Sequence, residues 1–500
     1  MYFTLVSPRL VIQKNDILGS GVPYWPIEIA TLATLIKSNN DQVSFYDLFG
    51  NNPKLLEDRG DFFLQGESFD KYIEKAKITD VFIIFAISYM SHQEIVEIIK
   101  KIKKAFNGEK KIVVLENSQA VTAYSLYRVK KDFFDAGADY LICGEPYHNW
   151  HQIKKYINSE IIPKPENIIS SDSNNVPKRI IYKYAKYPVP AWDLVNLENY
   201  WRLPYSHGPK TKKFLPVLTS RGCPYPCDFC VVPETNNRRW RANSAEEVVS
   251  ELLFLKKKYG VSDFQVEDLN PTVDHKRWEE ICKILIKKNA DIRFYFVSGT
   301  KAETVHIDTI KLFSEAGCRY ISISPESGSQ ELMKIIGKKF DYDHGLKLVK
   351  ECYKYGVSTQ TCFIVGHPEE TEKDFNMSES YLTKLVKAGL DEVAVFIVSP
   401  FAGSKLHQNN SIELDNPEAI ITFSPKGRKG YANISRRRKK LLFIFFYYKI
   451  TTHLLNFLKQ CLRSVIGYPR TKMENIILRI VYIKYLIFIN RHTNKSKDAR

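Results

Sequence analysis

Short apolar runs alternate with helical stretches over the first third of the chain, residues 1–160. The apolar runs are continuous, as is typical of parallel strands that helices cover on both faces. This part is therefore predicted to be a doubly wound α/β domain with a parallel sheet. The predicted strands are Tyr2–Val6, Val43–Tyr46, Asp80–Ser88, Lys111–Leu115 and Asp139–Cys143, and the predicted helices are Ile27–Lys37, His92–Phe106 and Ala123–Ala136.

A second alternation of strands and helices occupies residues 213–405, after a segment, 161–212, that is rich in Pro, Asn, Ser and Tyr. That segment is predicted to be a linker with little regular structure. Six strand–helix units are too few for a closed eight-stranded barrel, so an open partial (β/α)6 barrel is predicted, with its chemistry at the carboxyl ends of the strands. The predicted strands are Pro216–Ser220, Asp263–Glu267, Arg293–Val297, Tyr320–Ser324, Thr361–Val365 and Glu392–Val398, and the predicted helices include Ser244–Lys258, Trp278–Lys288 and Ile307–Ala316.

The formal net charge of +17 is concentrated at the end of the chain. Residues 421–500 hold 19 Lys/Arg and two acidic residues, whereas residues 1–420 are balanced. A general nucleic-acid-binding surface would make the main body basic, so a nucleic-acid partner is not expected.

The segment 425–500 is predicted to be a basic, amphipathic helical tail. The basic run Ser435–Lys440 precedes eight apolar or aromatic residues, Leu441–Tyr448, and a second mixed segment covers Ile476–Asn490. Neither reaches the ~20 apolar residues that span a bilayer. Two interpretations stay open: peripheral contact with an anionic membrane surface, or helices that pack on the barrel and turn their charges to water. A role for the tail in nucleic-acid binding is the weaker third interpretation.

Nine cysteines are present, and three of them are clustered. The odd number and the isolated positions of the other six do not fit a secreted disulfide framework. The N-terminus lacks a basic stretch followed by a long apolar core, so no signal peptide is expected. We expect a cytoplasmic protein, with peripheral contact at the inner face of the membrane if the tail binds lipid.

The clustered cysteines are Cys223, Cys227 and Cys230, directly after the first predicted barrel strand. Three thiolates at this spacing can bind three corners of a [4Fe–4S] cluster, which leaves the fourth iron open to a small molecule. A zinc site or three unrelated thiols are the alternatives. Zinc usually takes four protein ligands, and the sequence shows neither a second C-x2-C pair nor a nearby His pair.

The C-x3-C-x2-C loop after a strand resembles the signature of the radical S-adenosylmethionine (SAM) superfamily, and further segments in the right order strengthen the resemblance. It implies that Phe229 packs near the adenine of SAM and that Glu267 and Asp268 receive the methionine amino group. Two more segments, Pro325–Gly328 and Phe363–Thr371, resemble those near the ribose, the carboxylate and the adenine. The SAM-contacting residues implied in these two segments are Glu326, Ser327, Gly366 and Glu369.

The resemblance implies an enzyme that uses the cluster and SAM to generate a 5′-deoxyadenosyl radical and modify an unactivated carbon. Cobalamin-dependent C-methylation and radical cyclisation or rearrangement are the expected reactions. The implied partners are a small-molecule or lipid-like substrate and a reduced flavodoxin- or ferredoxin-type electron donor. The alternative is a non-catalytic iron–sulfur redox or sensor protein that reaches a membrane or nucleic acid through its basic tail.

The N-terminal domain resembles the cobalamin-binding domain that often precedes this barrel. The sequence does not decide whether it binds cobalamin. The lower-axial histidine motif is absent, and Glu116 and Asn117 stand where relatives usually carry a Gly pair next to the cofactor's tail. Retained cobalamin binding and a domain kept only as scaffold or substrate cover both remain open.

Overall fold

The computed structural model describes residues 1–500 apart from 15, 17–18, 161, 180, 182–186, 410–411, 413–427 and 498–500, and it describes only the backbone of 491–497. The N-terminal domain is the predicted doubly wound α/β unit. Its main sheet has the strand order β3-β1-β6-β7-β8-β9, parallel except for β9. The elements are β1 Tyr2–Ser7, β2 Leu10–Gln13, α1 Ile27–Ser38, β3 Gln42–Asp47, β4 Leu56–Asp58, β5 Phe62–Gln65, β6 Val81–Ala86, α2 His92–Ala105, β7 Lys111–Glu116, α3 Lys130–Ala136, β8 Tyr140–Ile142, α4 Trp150–Ile157 and β9 Ile168–Ile169.

All five predicted strands of this domain are present, and β6 is buried along its whole length, as its continuous apolar sequence requires. One predicted helix is shorter than expected, because α3 begins at Lys130 rather than Ala123. The reason lies in the backbone bonds of the segment before it. The Ser125 amide donates to the Ala402 carbonyl and the Leu126 amide to the Glu116 carboxylate, so neither is available to a helix. A small antiparallel sheet, β2-β5-β4, was not predicted.

The predicted linker is more ordered and more buried than its composition suggested. It contributes β9 to the N-terminal sheet and contains a short helix, α5 Leu197–Arg202. Trp192 and Tyr200 are both buried, and the Tyr200 ring stacks on Trp25 with 4.2 Å between centroids. The aromatic rings of this segment therefore join the cores of the two α/β units.

The second unit is an open barrel whose main sheet has the all-parallel order β10-β13-β14-β15-β16-β17. Within the described residues, β10 and β17 are the two edges of this sheet, so the predicted partial (β/α)6 barrel is confirmed. The elements are β10 Phe214–Val217, β11 Ser220–Arg221, α6 Val232–Thr235, β12 Arg241–Ala242, α7 Ala245–Tyr259, β13 Asp263–Val266, α8 His275–Lys287, β14 Arg293–Thr300, α9 Ile310–Ala316, β15 Cys318–Glu326, α10 Gln330–Ile336, α11 Tyr342–Lys354, β16 Ser358–Val365, α12 Glu372–Lys387, β17 Glu392–Ile397 and α13 Lys405–Gln408.

Local sequence signals set several of these helix ends. The Ser244 hydroxyl and the Glu247 carboxylate form a capping box at the start of α7, and Gly260 ends the helix in a left-handed conformation. The Thr371 and Asp374 side chains form the same kind of box at the start of α12. These caps fix where each helix leaves the carboxyl edge of the barrel, which is the edge that carries the candidate site.

The tail forms three helices, as its composition predicted, although residues 425–427 lie outside the described part. They are α14 Tyr431–Thr452, α15 Leu454–Ile466 and α16 Ile476–Lys497. Helix α14 packs on α12 and β17. Much of the basic charge on this side is paired, since the Arg437 guanidinium lies 3.0 Å from the Glu370 carboxylate and that of Arg438 lies 3.1 Å from Asp16. The interpretation that the tail packs on the barrel therefore holds for its inner side.

Candidate functional site

The three clustered cysteines lie on a loop between two short strands that close it. Strands β11 and β12 pair antiparallel, and Gly222 leads directly from β11 into Cys223. Gly222 has φ +75°, and a Cβ at this position would lie 2.1 Å from the Arg239 carbonyl oxygen. Only glycine fits there, because a side chain would clash with backbone. The sequence Ser220–Cys223 therefore folds into a fixed entry to the loop at the carboxyl end of β10.

The donor atoms of the loop suit a cluster better than a single zinc ion. The loop offers three cysteine thiols, and all three are free. Zinc usually takes four protein ligands, whereas a [4Fe–4S] cluster bound through three thiolates keeps one iron open. The donor set therefore favours the cluster over the zinc alternative.

The pKa values of these three thiols are raised by their surroundings. Burial raises the pKa of Cys227 to about 12 and also raises the pKa of Cys223 and Cys230. Burial therefore makes these thiols harder to ionise than thiols in water. Bound iron would supply the positive charge that holds them as thiolates, so the donor set fits an iron–sulfur cluster.

Glu326 and Ser327 lie at the end of β15. Glu326 has φ +59°, a backbone conformation that is strained for this residue type, and its buried carboxylate accepts a hydrogen bond from the Lys338 ammonium at 2.6 Å. The Ser327 hydroxyl lies 3.1 Å from the Ser378 hydroxyl. Lys338 was not among the predicted residues. Burial raises the pKa of Cys227, and the nearby Lys338 ammonium opposes this rise, so the Lys338–Glu326 pair belongs to the surroundings of the cysteine loop.

Gly366 and Glu369 both follow β16, but their surroundings differ. The Gly366 amide donates to the Glu370 carboxylate at 2.9 Å, and Gly366 has φ +78°. The Glu369 side chain is exposed instead. Glu370 therefore holds the start of this loop, and the contact of Glu369 with SAM stays a prediction.

His367, in the same loop, contacts the cysteine loop directly. Its Nε2 lies 2.9 Å from the carboxylate of Asp228, the residue after Cys227. Sequence reasoning missed this contact, because a single His between Gly and Pro gives no signal of a partner 139 residues away. Phe229, beside Asp228, is half-buried and packs against the main core.

Glu267 and Asp268 follow β13 but have different surroundings. Asp268 is fully buried and accepts hydrogen bonds from the Thr219 amide at 2.7 Å, the Thr219 hydroxyl at 2.6 Å and the Ser220 hydroxyl at 2.5 Å. It therefore anchors the backbone that leads into the cysteine loop. The Glu267 carboxylate lies 2.6 Å from the Nδ1 of His207 and faces a cavity.

That cavity lies between the N-terminal domain and the barrel. Its lining combines Tyr24 and Gln119 of the first unit with Leu218, Glu267 and Ser298 of the second. The Tyr24 and His207 rings are 4.8 Å apart at their centroids. The cavity thus has an aromatic wall and polar groups that converge at the carboxyl edge of the barrel, as a small-molecule site requires.

Comparison with known proteins agrees with this architecture. Residues 217–396 match the family model of the radical SAM superfamily. The matched segment is the barrel, from the end of β10 to β17. An uncharacterised methyltransferase of Pyrococcus horikoshii is 27% identical over 256 residues, which are 50% of this chain and 53% of that protein.

A magnesium-protoporphyrin IX monomethyl ester cyclase of Synechocystis is 25% identical over 215 residues, 42% of this chain and 40% of the cyclase. The chain therefore spans about half or less of the length of these relatives. Among solved structures, the cobalamin-dependent radical SAM enzyme OxsB, with aqua-cobalamin and SAM bound, matches 99% of this chain and 80% of its own with a TM-score of 0.64 and 15% identity. This likeness extends the shared fold over the N-terminal domain as well as the barrel.

Proposed function

We propose that this protein is a radical SAM enzyme that modifies an unactivated carbon of a small-molecule substrate. The observation that carries the proposal is the loop of three free cysteines, Cys223, Cys227 and Cys230, at the carboxyl edge of an open β/α barrel. When bound, a [4Fe–4S] cluster and SAM would supply a 5′-deoxyadenosyl radical for hydrogen abstraction. An electron donor of the flavodoxin or ferredoxin type would reduce the cluster.

Within this proposal, residues of the chain hold SAM next to the cluster. Lys338, paired with Glu326 beside Cys227, is placed to bind a carboxylate, and the Glu267 carboxylate is placed to bind an amine or a hydroxyl. Phe229 and Gly366 flank the same edge and would contact the adenine. Asp268 and His367 serve in positioning, because their side chains hold the backbone of the cysteine loop.

The cavity lined by Tyr24, His207, Glu267 and Ser298 would take the substrate. Its polar groups favour a substrate with a hydroxyl, amine or carboxylate beside an apolar part. The two candidate reactions are cobalamin-dependent C-methylation and radical cyclisation or rearrangement. Relatives of both kinds, a methyltransferase and a cyclase, are similar to this chain. The non-catalytic sensor alternative has no such relatives among these comparisons.

The test is formation of 5′-deoxyadenosine by anaerobically reconstituted protein with SAM and dithionite. We expect product from the wild type, none from Cys227→Ala, and wild-type amounts from Cys461→Ala, which removes an exposed thiol outside the loop. Full iron loading without any SAM cleavage would leave only the sensor alternative. Equal product from both cysteine variants would remove the loop from the reaction.

We also propose that the tail rests on an anionic membrane surface. Helix α15 turns its polar side inward, where Asn456 and Gln460 bond to Asp391. Its outward side is apolar, with Leu455 75% and Val465 79% exposed. The other two tail helices also expose apolar residues, and basic residues of the tail are exposed as well: Phe443, Tyr447, Ile477, Val481, Tyr485 and Phe488, with Arg436, Lys439, Lys459 and Lys484.

A helix that buries its polar side and exposes its apolar side favours a lipid partner, and the basic residues favour anionic headgroups. No single helix in the described part of the chain has the length and hydropathy to cross a bilayer, although α14 and α15, bent by 112°, pass that test as a pair. Flotation with vesicles of phosphatidylcholine and phosphatidylglycerol tests the proposal. Leu458→Glu should weaken binding roughly tenfold or more, since burying a leucine contributes about 1.5 kcal/mol or more.

Phe254→Glu is the matched control, because Phe254 is an exposed apolar residue on barrel helix α7. It should leave vesicle binding unchanged. Binding that is equally strong to neutral vesicles would remove the electrostatic part of the proposal. Absence of wild-type binding to anionic vesicles would overturn it.

A further inference from the structure

The carboxyl edge of the N-terminal sheet is the place where a doubly wound domain binds its ligand. The part of this edge that contacts the cysteine loop consists of residues 116–119 after β7 and 144–145 after β8. We infer that this part of the edge holds the iron–sulfur loop in position and has no site for a corrinoid. The inference rests on the proposed radical SAM function and separates the two roles that the sequence left open for this domain.

The first observation is a buried ion pair that fills the edge. The Glu116 side chain is fully buried and accepts four hydrogen bonds: from the Gly144 amide at 2.7 Å, the Leu126 amide at 3.1 Å, and Arg179 Nε and Nη2 at 3.0 and 2.9 Å. Arg179 also donates to the Ser125 hydroxyl at 3.0 Å. The carboxylate thus has its acceptor positions taken by protein groups.

The aliphatic part of Arg179 covers the glycine of this edge. A Cβ on Gly144 would meet the Arg179 Cγ at 3.3 Å. The backbone of Gly144, which a cofactor could approach closely in the absence of a side chain, is therefore covered by the linker.

The second observation is that the rest of the edge binds the cysteine loop. The side-chain oxygen of Gln119 accepts a hydrogen bond at 3.0 Å from the backbone amide of Gly222, the residue immediately before Cys223. The Gln119 amide donates to the Asn236 carbonyl oxygen at 3.1 Å and to Glu145 at 3.0 Å. The Asn236 amide in turn donates to the Ser118 carbonyl at 2.7 Å. Both ends of the loop, at residues 222 and 236, are therefore tied to the same strand end.

The third observation is the charge pairing around Glu145. Its buried carboxylate binds Arg241 and lies 3.3 Å from Arg221 Nη1, and these arginines form the β11–β12 pair that closes the loop. Arg221 Nη1 also lies 2.6 Å from the Glu28 carboxylate. A buried charge is costly unless it is paired. Removal of Glu28 or Glu145 would therefore leave a buried arginine of the β11–β12 pair without its full set of carboxylate partners.

The fourth consideration is the size of the ligand. A corrinoid is larger than a drug-sized ligand and would have to displace the Glu116–Arg179 pair and the Gln119 contacts. The residues at the ends of β7 and β8 do not fit cobalamin.

Cobalt uptake by the full chain tests the inference directly. The protein is incubated anaerobically with hydroxocobalamin, with and without prior cluster reconstitution, and cobalt and iron are measured after gel filtration. A cobalamin-binding enzyme such as OxsB is treated in parallel as the positive control. We expect iron in the reconstituted sample and no cobalt above background in either sample. Stoichiometric cobalt in either sample would overturn the inference. Absence of iron from the reconstituted sample would instead count against the proposed function, so the two failures are distinguishable.

The positioning role is tested by Gln119→Ala, with Gln152→Ala as the control because Gln152 is exposed on helix α4 of the same domain. The readouts are the rate of iron loss to a chelator and the electron paramagnetic resonance spectrum of the reduced cluster. Gln119→Ala should release iron about tenfold faster, since each buried hydrogen bond contributes on the order of a fivefold effect, and should shift the spectrum. Iron loss and a spectrum equal to those of Gln152→Ala would overturn the positioning role.

Discussion

The buried pair of Glu116 and Arg179 allows a quantitative prediction. Arg179→Ala would remove two hydrogen bonds from a carboxylate that has no exposure to water, and would leave only the Gly144 and Leu126 amides as donors. Breaking a buried pair in this way typically costs about 3–5 kcal/mol. At 25 °C the lower figure corresponds to a change of roughly 150-fold in an opening equilibrium.

Amide hydrogen exchange measured by mass spectrometry is the suitable assay, because a chain of several structural units does not unfold in one step. We expect peptides that cover β7 and β8 to exchange about 150-fold faster in Arg179→Ala than in the wild type. Lys178→Ala is the matched control, since its ion pair with Glu166 is exposed on both sides and contributes about 0–1 kcal/mol. Exchange in Arg179→Ala within about twofold of this control would refute the role assigned to the pair.

Two further predictions concern the cysteine loop and the pH dependence of stability. Gly222→Ala should lower the iron content after reconstitution, because the added Cβ would clash with the Arg239 carbonyl oxygen. Gly260→Ala is the control and should keep full iron, since Gly260 has a similar φ but open space around it. Equal iron content in the two variants would contradict the clash. Burial raises the pKa of Asp47 to about 6, so the folded state binds a proton that the unfolded state releases near pH 4, and stability should fall as pH rises from about 4 to 6. Asp47→Asn should flatten this pH dependence of the opening free energy of β3, measured by amide hydrogen exchange, and an unchanged slope would show that another group causes it.

The sequence predicted the fold well, for a physical reason. Parallel strands such as β6 are buried on both faces and so appear as continuous apolar runs, and capped helices such as α7 begin at a visible Ser–Glu pair. The start of α3 was wrong because its backbone bonds go to Glu116 and Ala402, which are distant in sequence. Composition also made the linker look irregular, although Trp192 packs in the core.

The candidate site was predictable to the extent that its residues are close together in sequence. The three cysteines define their own loop, whereas the side chains that position it come from elsewhere: Gln119, Glu145 and His367. The sequence could not show which neighbour in a Glu-Glu or Glu-Asp pair faces the site. The structure exposes Glu369 and buries Asp268 in a backbone anchor.

In the proposed site, three thiolates hold a [4Fe–4S] cluster and leave one iron open to SAM. The most direct measurement is the electron paramagnetic resonance spectrum of the reduced, anaerobically reconstituted protein, recorded with and without SAM. We expect the wild type to give a reduced-cluster signal whose g-values change when SAM binds. Cys227→Ala should give no cluster signal. Protein that contains only zinc, or a cluster signal that SAM leaves unaltered, would contradict the proposed site.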